Sequence, residues 1–192
     1  MEDAAVLGAR RAAESAGRRT PAPRTVATLS FLAAAANARH VASVGAGAGV
    51  TSLGLLRGMT DDGVLTTVDV DAEGQRLART ALDQAGISRS RARLITGVPA
   101  EVLPRLSDDA YDLVLLDAPA AELDGLLDEA LRLLRDGGLL AVVGVDEVAA
   151  AGEGDDAEAL RSLAARVREE EGLVEAVLPV EGGLLVAVAH RR

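Results

Sequence analysis

Three closely spaced glycines are the part of the sequence best suited to bind a cofactor. Gly45, Gly47 and Gly49 follow a short apolar run and precede a stretch with the apolar spacing of a helix. Glycine permits a positive φ and a close approach of the backbone. A strand, a tight turn and a helix in this order aim backbone N–H groups and a helix N-terminus at one point. The turn therefore predicts a site for an anionic or polar cofactor.

The residues around this turn separate several kinds of nucleotide site. A dinucleotide fingerprint beginning at Gly45 needs glycine or alanine where the chain has Val50. A Walker phosphate loop needs lysine, and all 20 basic residues of the chain are arginine. Asp69 ends the next apolar segment and can accept hydrogen bonds from both hydroxyls of a ribose. The combination predicts a nucleoside-type cofactor, whereas the glycines alone would also suit a turn without a ligand.

Strands and helices that position these residues alternate along the chain. Such alternation predicts a parallel sheet covered by helices on both faces. We expect a glycine C-cap at Asp136-Gly137-Gly138, after the amphipathic helix 120–135. The predicted strands are 41–45, 64–69, 92–96, 112–117 and 138–145, and the predicted helices are 3–17, 24–37, 50–59, 72–86, 99–107 and 120–135.

The last part of the chain has a different pattern. Segment 146–156 has the composition of a flexible loop and precedes an amphipathic helix at 157–171. Two apolar strands, 174–180 and 184–190, are joined by Glu181-Gly182-Gly183. Because this link is too short for a crossover helix, the two strands are predicted to form an antiparallel hairpin.

Composition limits the class of protein. A chain of 192 residues fits a single domain, with a helical segment at 1–38 and a Rossmann-like core at 39–192. The absence of cysteine excludes disulfides, thiolate metal ligands and a cysteine nucleophile. No signal pattern and no apolar run of membrane-spanning length is present, so we expect a cytoplasmic protein without a membrane partner.

Charge is distributed unevenly between the N-terminal segment and the rest of the chain. The net charge of −10 argues against a nucleic-acid partner, which would need a concentrated basic face. The first forty residues nevertheless hold six arginines against three acidic residues. We expect their arginines to lie on a solvated helix face, the alternative being that they bind an acidic substrate or the acidic body of the chain itself. This expectation concerns five of the six: Arg10, Arg11, Arg18, Arg19 and Arg24.

Several segments together link the chain to a known family. They are VASVGAGAGVTSLGLLRGM, DDGVLTTVDVDAEGQRLARTAL, ARLITGVPAEVLPRLSDDAYDLVLLDAP, LRLLRDGGLLAVV and LPVEGGLLVAV. From about residue 20 onwards the sequence resembles the class I S-adenosylmethionine-dependent methyltransferases, and within them the small bacterial O-methyltransferases related to catechol O-methyltransferase. The resemblance implies a Rossmann-like, doubly wound α/β sheet of seven strands, mostly parallel with an antiparallel C-terminal hairpin. It also implies a homodimer.

The resemblance further implies which residues hold S-adenosylmethionine. Asp69 would bind the ribose hydroxyls, and Val98 and Pro99 would flank the adenine. Asp117, at the end of the fourth strand, would lie beside the sulfonium; the alternative is an acid that merely caps the next helix. The methionine part would be surrounded by Gly45, Ala46, Gly47, Gly49 and Thr51.

The sequence departs from the family at the metal site. Metal-dependent relatives have Asp-Ala-Asp-Lys after the fourth strand, where this chain has Asp117-Ala118-Pro119-Ala120. They have Asp-Asn after the fifth strand, aligned here with Val143 and Gly144. One carboxylate cannot form the oxygen cage of Mg²⁺ or Ca²⁺, so we expect no metal ligands. Asp146 and Glu147 could in principle substitute, but a solvated acidic loop is the favoured interpretation.

Methyl transfer needs positioning and desolvation rather than a covalent nucleophile, but it does need a deprotonated acceptor. His40, Tyr111 and His190 are predicted at the opposite edge of the sheet, so the candidate bases are carboxylates: Asp117 first, then Asp146 and Glu147. The acceptor would then ionise by itself, as a carboxylic acid or an acidic phenol does, or catalysis has been lost.

Three hypotheses follow from these residues. The leading one is a metal-independent O-methyltransferase for a small-molecule acceptor, whose pocket is formed by the N-terminal helices and loop 146–156. The second is a non-catalytic protein that binds S-adenosylmethionine or S-adenosylhomocysteine. The third, which Val50 and the terminal hairpin disfavour, is a nicotinamide-dependent oxidoreductase.

Overall fold

The sheet is seen in a computed structural model that describes residues 2–145 and 154–190. The strands within these ranges are β1 (His40–Val44), β2 (Val64–Asp69), β3 (Ala92–Thr96), β4 (Tyr111–Leu116), β5 (Leu134–Val143), β6 (Leu173–Leu178) and β7 (Leu184–Ala189). They form a seven-stranded sheet in the order β3-β2-β1-β4-β5-β7-β6. β1 to β5 pair in parallel, and β7 is antiparallel to both β5 and β6. The predicted fold class is confirmed.

Helices cover both faces of this sheet. They are α1 (Ala4–Ser15), α2 (Pro23–Ala35), α3 (Val50–Gly58), α4 (Ala72–Gln84), α5 (Pro99–Val102), α6 (Ala120–Leu133) and α7 (Asp155–Glu169). The apolar sides of α1 to α4 pack on one face, and those of α6 and α7 pack on the other. Short 3₁₀ turns lie at Gly47–Gly49, Arg89–Arg91 and Leu103–Arg105. No helix in the described ranges is long and apolar enough to cross a bilayer.

The central strand, β4, is buried along its whole length. All six residues of β4 are buried, and β1 and β5 pair on its two sides. Its sequence, YDLVLL, is almost continuously apolar, as expected of a parallel strand covered on both faces. The exception is Asp112, whose carboxylate accepts hydrogen bonds at the amino end of the sheet. The carboxyl end of β4 therefore emerges from a rigid core at a fixed place.

The prediction of a glycine C-cap after α6 is wrong. The helix ends at Leu133 and β5 begins at Leu134, before the predicted strand start. Tyr111 pairs with Leu134 but Leu113 pairs with Leu139, so extra residues of β5 bulge away from β4. A Cβ on Gly138 would lie 3.0 Å from the Tyr111 carbonyl oxygen. The glycines belong to this irregular strand start and not to a helix cap. The sequence pattern could not separate the two, because bulges and C-caps use the same residue types.

The C-terminal hairpin is confirmed and reaches the same edge as the glycine turn. β7 begins opposite Val143, so the turn between β6 and β7 lies at the carboxyl end of β5. The Thr25 hydroxyl on α2 donates to the Glu181 carbonyl of this turn at 3.0 Å. Helix α7 begins at Asp155, two residues before the prediction. Of the predicted loop 146–156, residues 146–153, with Asp146 and Glu147, lie outside the described residues.

Candidate functional site

The glycine turn joins the ends of three strands. The Gly45 N–H donates to the Val68 carbonyl at 2.9 Å, and the Asp117 N–H donates to the Val44 carbonyl at 3.1 Å. Gly45 has φ +87°, and a Cβ there would lie 2.5 Å from the Asp117 carbonyl oxygen. Only glycine tolerates both conditions. The sequence therefore places the Asp117 backbone directly beside the turn, and its predicted position beside the sulfonium stays a prediction.

Thr51 provides a buried polar group beneath this turn. Its side chain is 1% exposed, and its Oγ1 has no hydrogen-bond partner among the described residues. A Cβ on Gly47 would lie 2.2 Å from that oxygen, so a residue with a side chain would not fit there without a shift. A buried hydroxyl without a partner is costly, and native proteins rarely contain one unless water or a ligand satisfies it. Thr51 thus has hydrogen-bonding capacity that the described residues do not use.

Asp69 fixes the turn against the end of β2. One carboxylate oxygen accepts the Ala46 N–H at 3.0 Å, and the other accepts the Asp71 N–H at 2.9 Å. Each oxygen keeps further acceptor capacity, because an ionised carboxylate has about four lone-pair sites. Asp69 therefore orients the turn and still has room for hydroxyl donors. Its predicted contact with a ribose stays a prediction.

Two exposed valines lie on neighbouring loops at the same edge. Val70 follows Asp69 and is 63% exposed, and Val98 precedes α5 and is 47% exposed. The loops are joined by a hydrogen bond from the Gly97 N–H to the Asp69 carbonyl, at 3.0 Å. Pro99 is buried at the start of α5. The sequence analysis predicts Val98 and Pro99 at this edge but does not include Val70. The signal for Val70 is that it is an apolar residue directly after the acid that ends β2.

A cavity of about 690 Å³ opens beside Asp117. Its walls come from the loop between α1 and α2, the ends of β4 and β5, the β6–β7 turn and the start of α7. Residues 19–22, in the loop between the two N-terminal helices, line this cavity, and so does Asp156 at the end of the predicted loop 146–156. That this cavity binds the acceptor stays a prediction. The β6–β7 turn was missed, although an antiparallel β7 had to begin at this edge. The charged lining residues are Arg19, Asp117, Asp156 and Glu181.

Other ionisable groups considered as bases lie elsewhere. His40 and Tyr111 begin β1 and β4, at the opposite edge of the sheet. The His190 N–H donates to the Gly172 carbonyl, also at that edge. Burial raises the pKa of the Tyr111 phenol, which makes it a poor base near neutral pH. The bases near the cavity within the described residues are therefore carboxylates.

At the positions that the family resemblance aligns with metal ligands, this chain has other side chains. Pro119, Val143 and Gly144 line the cavity next to Asp117. None of the three supplies a side-chain oxygen. Residues 2–145 and 154–190 contain no group of three or more histidine or acidic side chains placed to hold a metal ion.

The parallel sheet with its reversed β7, the glycine turn and the acid that ends β2 define a class I methyltransferase fold. The sequence model described as O-methyltransferase matches residues 16–190. A candidate O-methyltransferase from Mycolicibacterium smegmatis is 44% identical over 191 residues, covering 97% of this chain and 91% of that protein. The chain belongs to the O-methyltransferase family.

Solved structures share this fold. A protein from Corynebacterium glutamicum is 32% identical, with a TM-score of 0.92 over 100% of this chain and 92% of that one. An O-methyltransferase from Bacillus cereus, solved in complex with S-adenosylhomocysteine, has a TM-score of 0.89 at 20% identity, covering 98% of this chain and 92% of that one. The predicted family is confirmed, and an enzyme is favoured over the non-catalytic binder and the nicotinamide oxidoreductase.

Proposed function

We propose that the protein transfers a methyl group from S-adenosylmethionine to an oxygen of a small-molecule acceptor, without a bound divalent metal ion. The observation that carries this proposal is the position of Asp117. The Asp117 backbone contacts the glycine turn, and Asp117 also lines a cavity of about 690 Å³. Cofactor site and acceptor cavity are therefore neighbours, which in-line transfer requires.

Residues at the glycine turn fit this cofactor. The unpartnered Thr51 hydroxyl and the uncovered backbone of Gly47 suit the charged methionine end. Asp69 would accept hydrogen bonds from the ribose hydroxyls. Val98 and Pro99, together with Val70, would flank the adenine. When bound, S-adenosylmethionine supplies a methyl group activated by its positively charged sulfur.

The chain itself positions the acceptor and excludes water. Residues 19–22 and the turn at Glu181 close two sides of the cavity. Asp117, which lines the cavity, would be the carboxylate that accepts a hydrogen bond or proton from an acceptor hydroxyl. A carboxylate is a weak base, so acceptors that ionise near neutral pH, such as acidic phenols and carboxylic acids, would react most readily.

Metal independence rests on the chemistry of the cavity wall. Divalent magnesium and calcium need several oxygen ligands. Two segments near Asp117 carry metal ligands in the metal-dependent relatives. In this chain the first has Pro119 and the second has Val143 and Gly144. The acceptor must therefore be held by the cavity itself rather than by chelation to a metal.

Isothermal titration with S-adenosylmethionine and S-adenosylhomocysteine tests the proposal, with Mg²⁺ and with a chelator. We expect the same affinity in both conditions, and a clear loss in Asp69→Ala. Methyl transfer to a panel of acidic phenols and carboxylic acids should likewise ignore the chelator. Absence of binding would refute the cofactor site, whereas transfer that stops on chelation would refute metal independence alone.

Three further features belong to the same proposal. We expect residues 1–192 to form a single domain, because the apolar clusters on both faces share one sheet. The homodimer implied by the resemblance can be measured by light scattering at several concentrations. A cytoplasmic location stays a prediction.

A further inference from the structure

The loop between α1 and α2 crosses the outside of the cofactor site. We call residues 18–22 of this loop the strap. Pro21 Cδ lies 3.7 Å from the position that a Cβ on Gly47 would take, and Arg18 Nη1 lies 3.6 Å from the corresponding position on Gly74. Gly74 is in the first turn of α4. The strap therefore runs from the start of α4, beside the end of β2, to the glycine turn.

One end of the strap is held by a buried arginine of α1. Arg10 donates to the Thr20 hydroxyl at 2.7 Å and to the Pro21 carbonyl at 2.8 Å. The same guanidinium pairs with Glu2, and the two side chains are only 14% and 10% exposed. This end moves with the N-terminal helices, which pack firmly on the sheet.

The other end is held by a backbone hydrogen bond from the Arg18 N–H to the Ala13 carbonyl, at 2.9 Å, and by an ion pair of the Arg18 side chain. The Arg18 guanidinium contacts the Asp71 carboxylate. The second Asp71 oxygen accepts the Glu73 N–H at 3.0 Å and caps α4, and the Asp71 N–H donates to Asp69. Asp71, one member of the pair, is therefore hydrogen-bonded to Asp69, the acid proposed to bind the ribose.

This ion pair is suited to open and close. Its side chains are 27% and 33% exposed, so water can replace each partner at modest cost. The Arg18 Nε is buried and has no hydrogen-bond partner among the described residues. Among the described residues, the Arg18 side chain has Asp71 as its one ion-pair partner, whereas the Arg10 side chain contacts Glu2, Thr20 and Pro21.

We propose that Arg18 is a positioning residue, whose pair with Asp71 holds the strap across the bound cofactor and slows its release. The inference rests on the proposed S-adenosylmethionine site. Because Pro21 of the strap lies against the glycine turn and Arg18 against the start of α4, a cofactor bound at Thr51 and Asp69 would pass the strap on release. Breaking the ion pair removes part of that barrier without touching any residue that contacts the cofactor.

The dissociation rate of S-adenosylhomocysteine tests this, followed by stopped-flow displacement with a fluorescent analogue. Arg18→Gln and Asp71→Asn remove the pair, and asparagine retains the ability to cap α4. We expect each variant to release the ligand about two- to fivefold faster, as suits a partly exposed pair. The double variant should be no faster than either single variant, because both remove the same interaction.

Arg11→Gln is the matched control, since Arg11 is exposed on α1. Its release rate should equal that of the unaltered protein, and thermal midpoints should agree across the set. Added NaCl screens the ion pair, so it should accelerate release from the unaltered protein but not from the variants that lack the pair. The ligand itself carries no net charge, so the salt effect reports on the protein. Unchanged release in both single variants, additive effects, or release that ignores salt would each overturn the inference. Failure of the unaltered protein to bind the ligand would overturn the proposed function as well.

Discussion

The two edges of the sheet carry similar residue types but treat them differently. At the amino edge, Asp112 accepts the N–H groups of Arg39 and His40 at 2.7 Å each, and the Arg135 Nε at 2.6 Å. At the carboxyl edge, the Thr51 hydroxyl is buried with no partner in the described part of the chain. Asp112 at the first edge is satisfied by the fold, whereas Thr51 at the second edge has hydrogen-bonding capacity that the described residues do not use. Under the proposed function, this difference separates structural polar residues from those that bind a ligand.

The largest effect is expected from a methyl group at the turn itself. Gly45→Ala forces a Cβ to within 2.5 Å of the Asp117 carbonyl at a φ of +87°. We expect a loss of about 2–4 kcal/mol in the free energy of unfolding, from strain and overpacking together. Binding of S-adenosylhomocysteine should become undetectable. Urea denaturation and calorimetric titration measure the two effects.

Gly125→Ala is the control for that substitution. Gly125 lies within α6, with no atom within 4 Å of the added Cβ. The change should stabilise the protein by about 0.5–1 kcal/mol and leave ligand affinity unchanged. If the two alanine variants behave alike, the turn is not the close-packed junction described above.

A pair of aspartates tests the comparison between edges directly. Asp69→Ala should lower the affinity for S-adenosylhomocysteine about 100-fold, since hydrogen bonds from ribose to a charged group are each worth about 1.5–3 kcal/mol. Asp112→Ala should leave that affinity unchanged but destabilise the protein by about 2–3 kcal/mol, because it orphans buried donors. Affinity that depends on Asp112 as strongly as on Asp69 would contradict the division into structural and functional edges.

Acid titration of stability gives a smaller effect at the amino edge. Burial raises the pKa of the Asp112 carboxyl, but the His40 and Arg39 N–H groups and the Arg135 guanidinium together outweigh it and hold the pKa below its ordinary value. A carboxyl with a lowered folded pKa stabilises above the unfolded pKa of about 4, and loses that contribution as pH falls through the folded value. Asp112→Asn should therefore flatten the decline of unfolding free energy below pH 4. An unchanged acid limb would show that Asp112 does not contribute to it.

Local patterns were enough to predict a parallel sheet with a terminal hairpin. The alternation of strands and helices, and the link Glu181-Gly182-Gly183, depend on neighbouring residues, whereas the seven strands and the methyltransferase fold came from the family resemblance. The start of β5 was wrong because the same glycines suit a helix cap and a bulge, and only the register against β4 decides between them. Gly45, Asp69 and Asp117 lie at neighbouring strand ends, and their roles toward a cofactor stay predictions.

Pairings across long stretches of chain could not be predicted in this way. The N-terminal arginines were expected on a solvated face, yet Arg10 binds Glu2 and the strap, and Arg18 binds Asp71. The alternative that they bind the acidic body of the chain is correct for Arg18, whereas the partners of Arg10 lie within the N-terminal segment itself. Partners chosen by tertiary packing leave no periodic signal, and the same holds for the cavity wall at Glu181.

The smallest expected effect is also the most specific test of the carboxyl edge. Thr51→Val replaces the unpartnered hydroxyl by a methyl group of similar size. Without a ligand the substitution should stabilise the protein by about 1 kcal/mol, since a buried unsatisfied hydroxyl is removed. Affinity for S-adenosylhomocysteine should fall about five- to tenfold, and Thr51→Ser should restore it. Opposite signs for stability and binding are what a ligand-directed hydroxyl requires; a loss in both would mean that Thr51 has a structural partner instead.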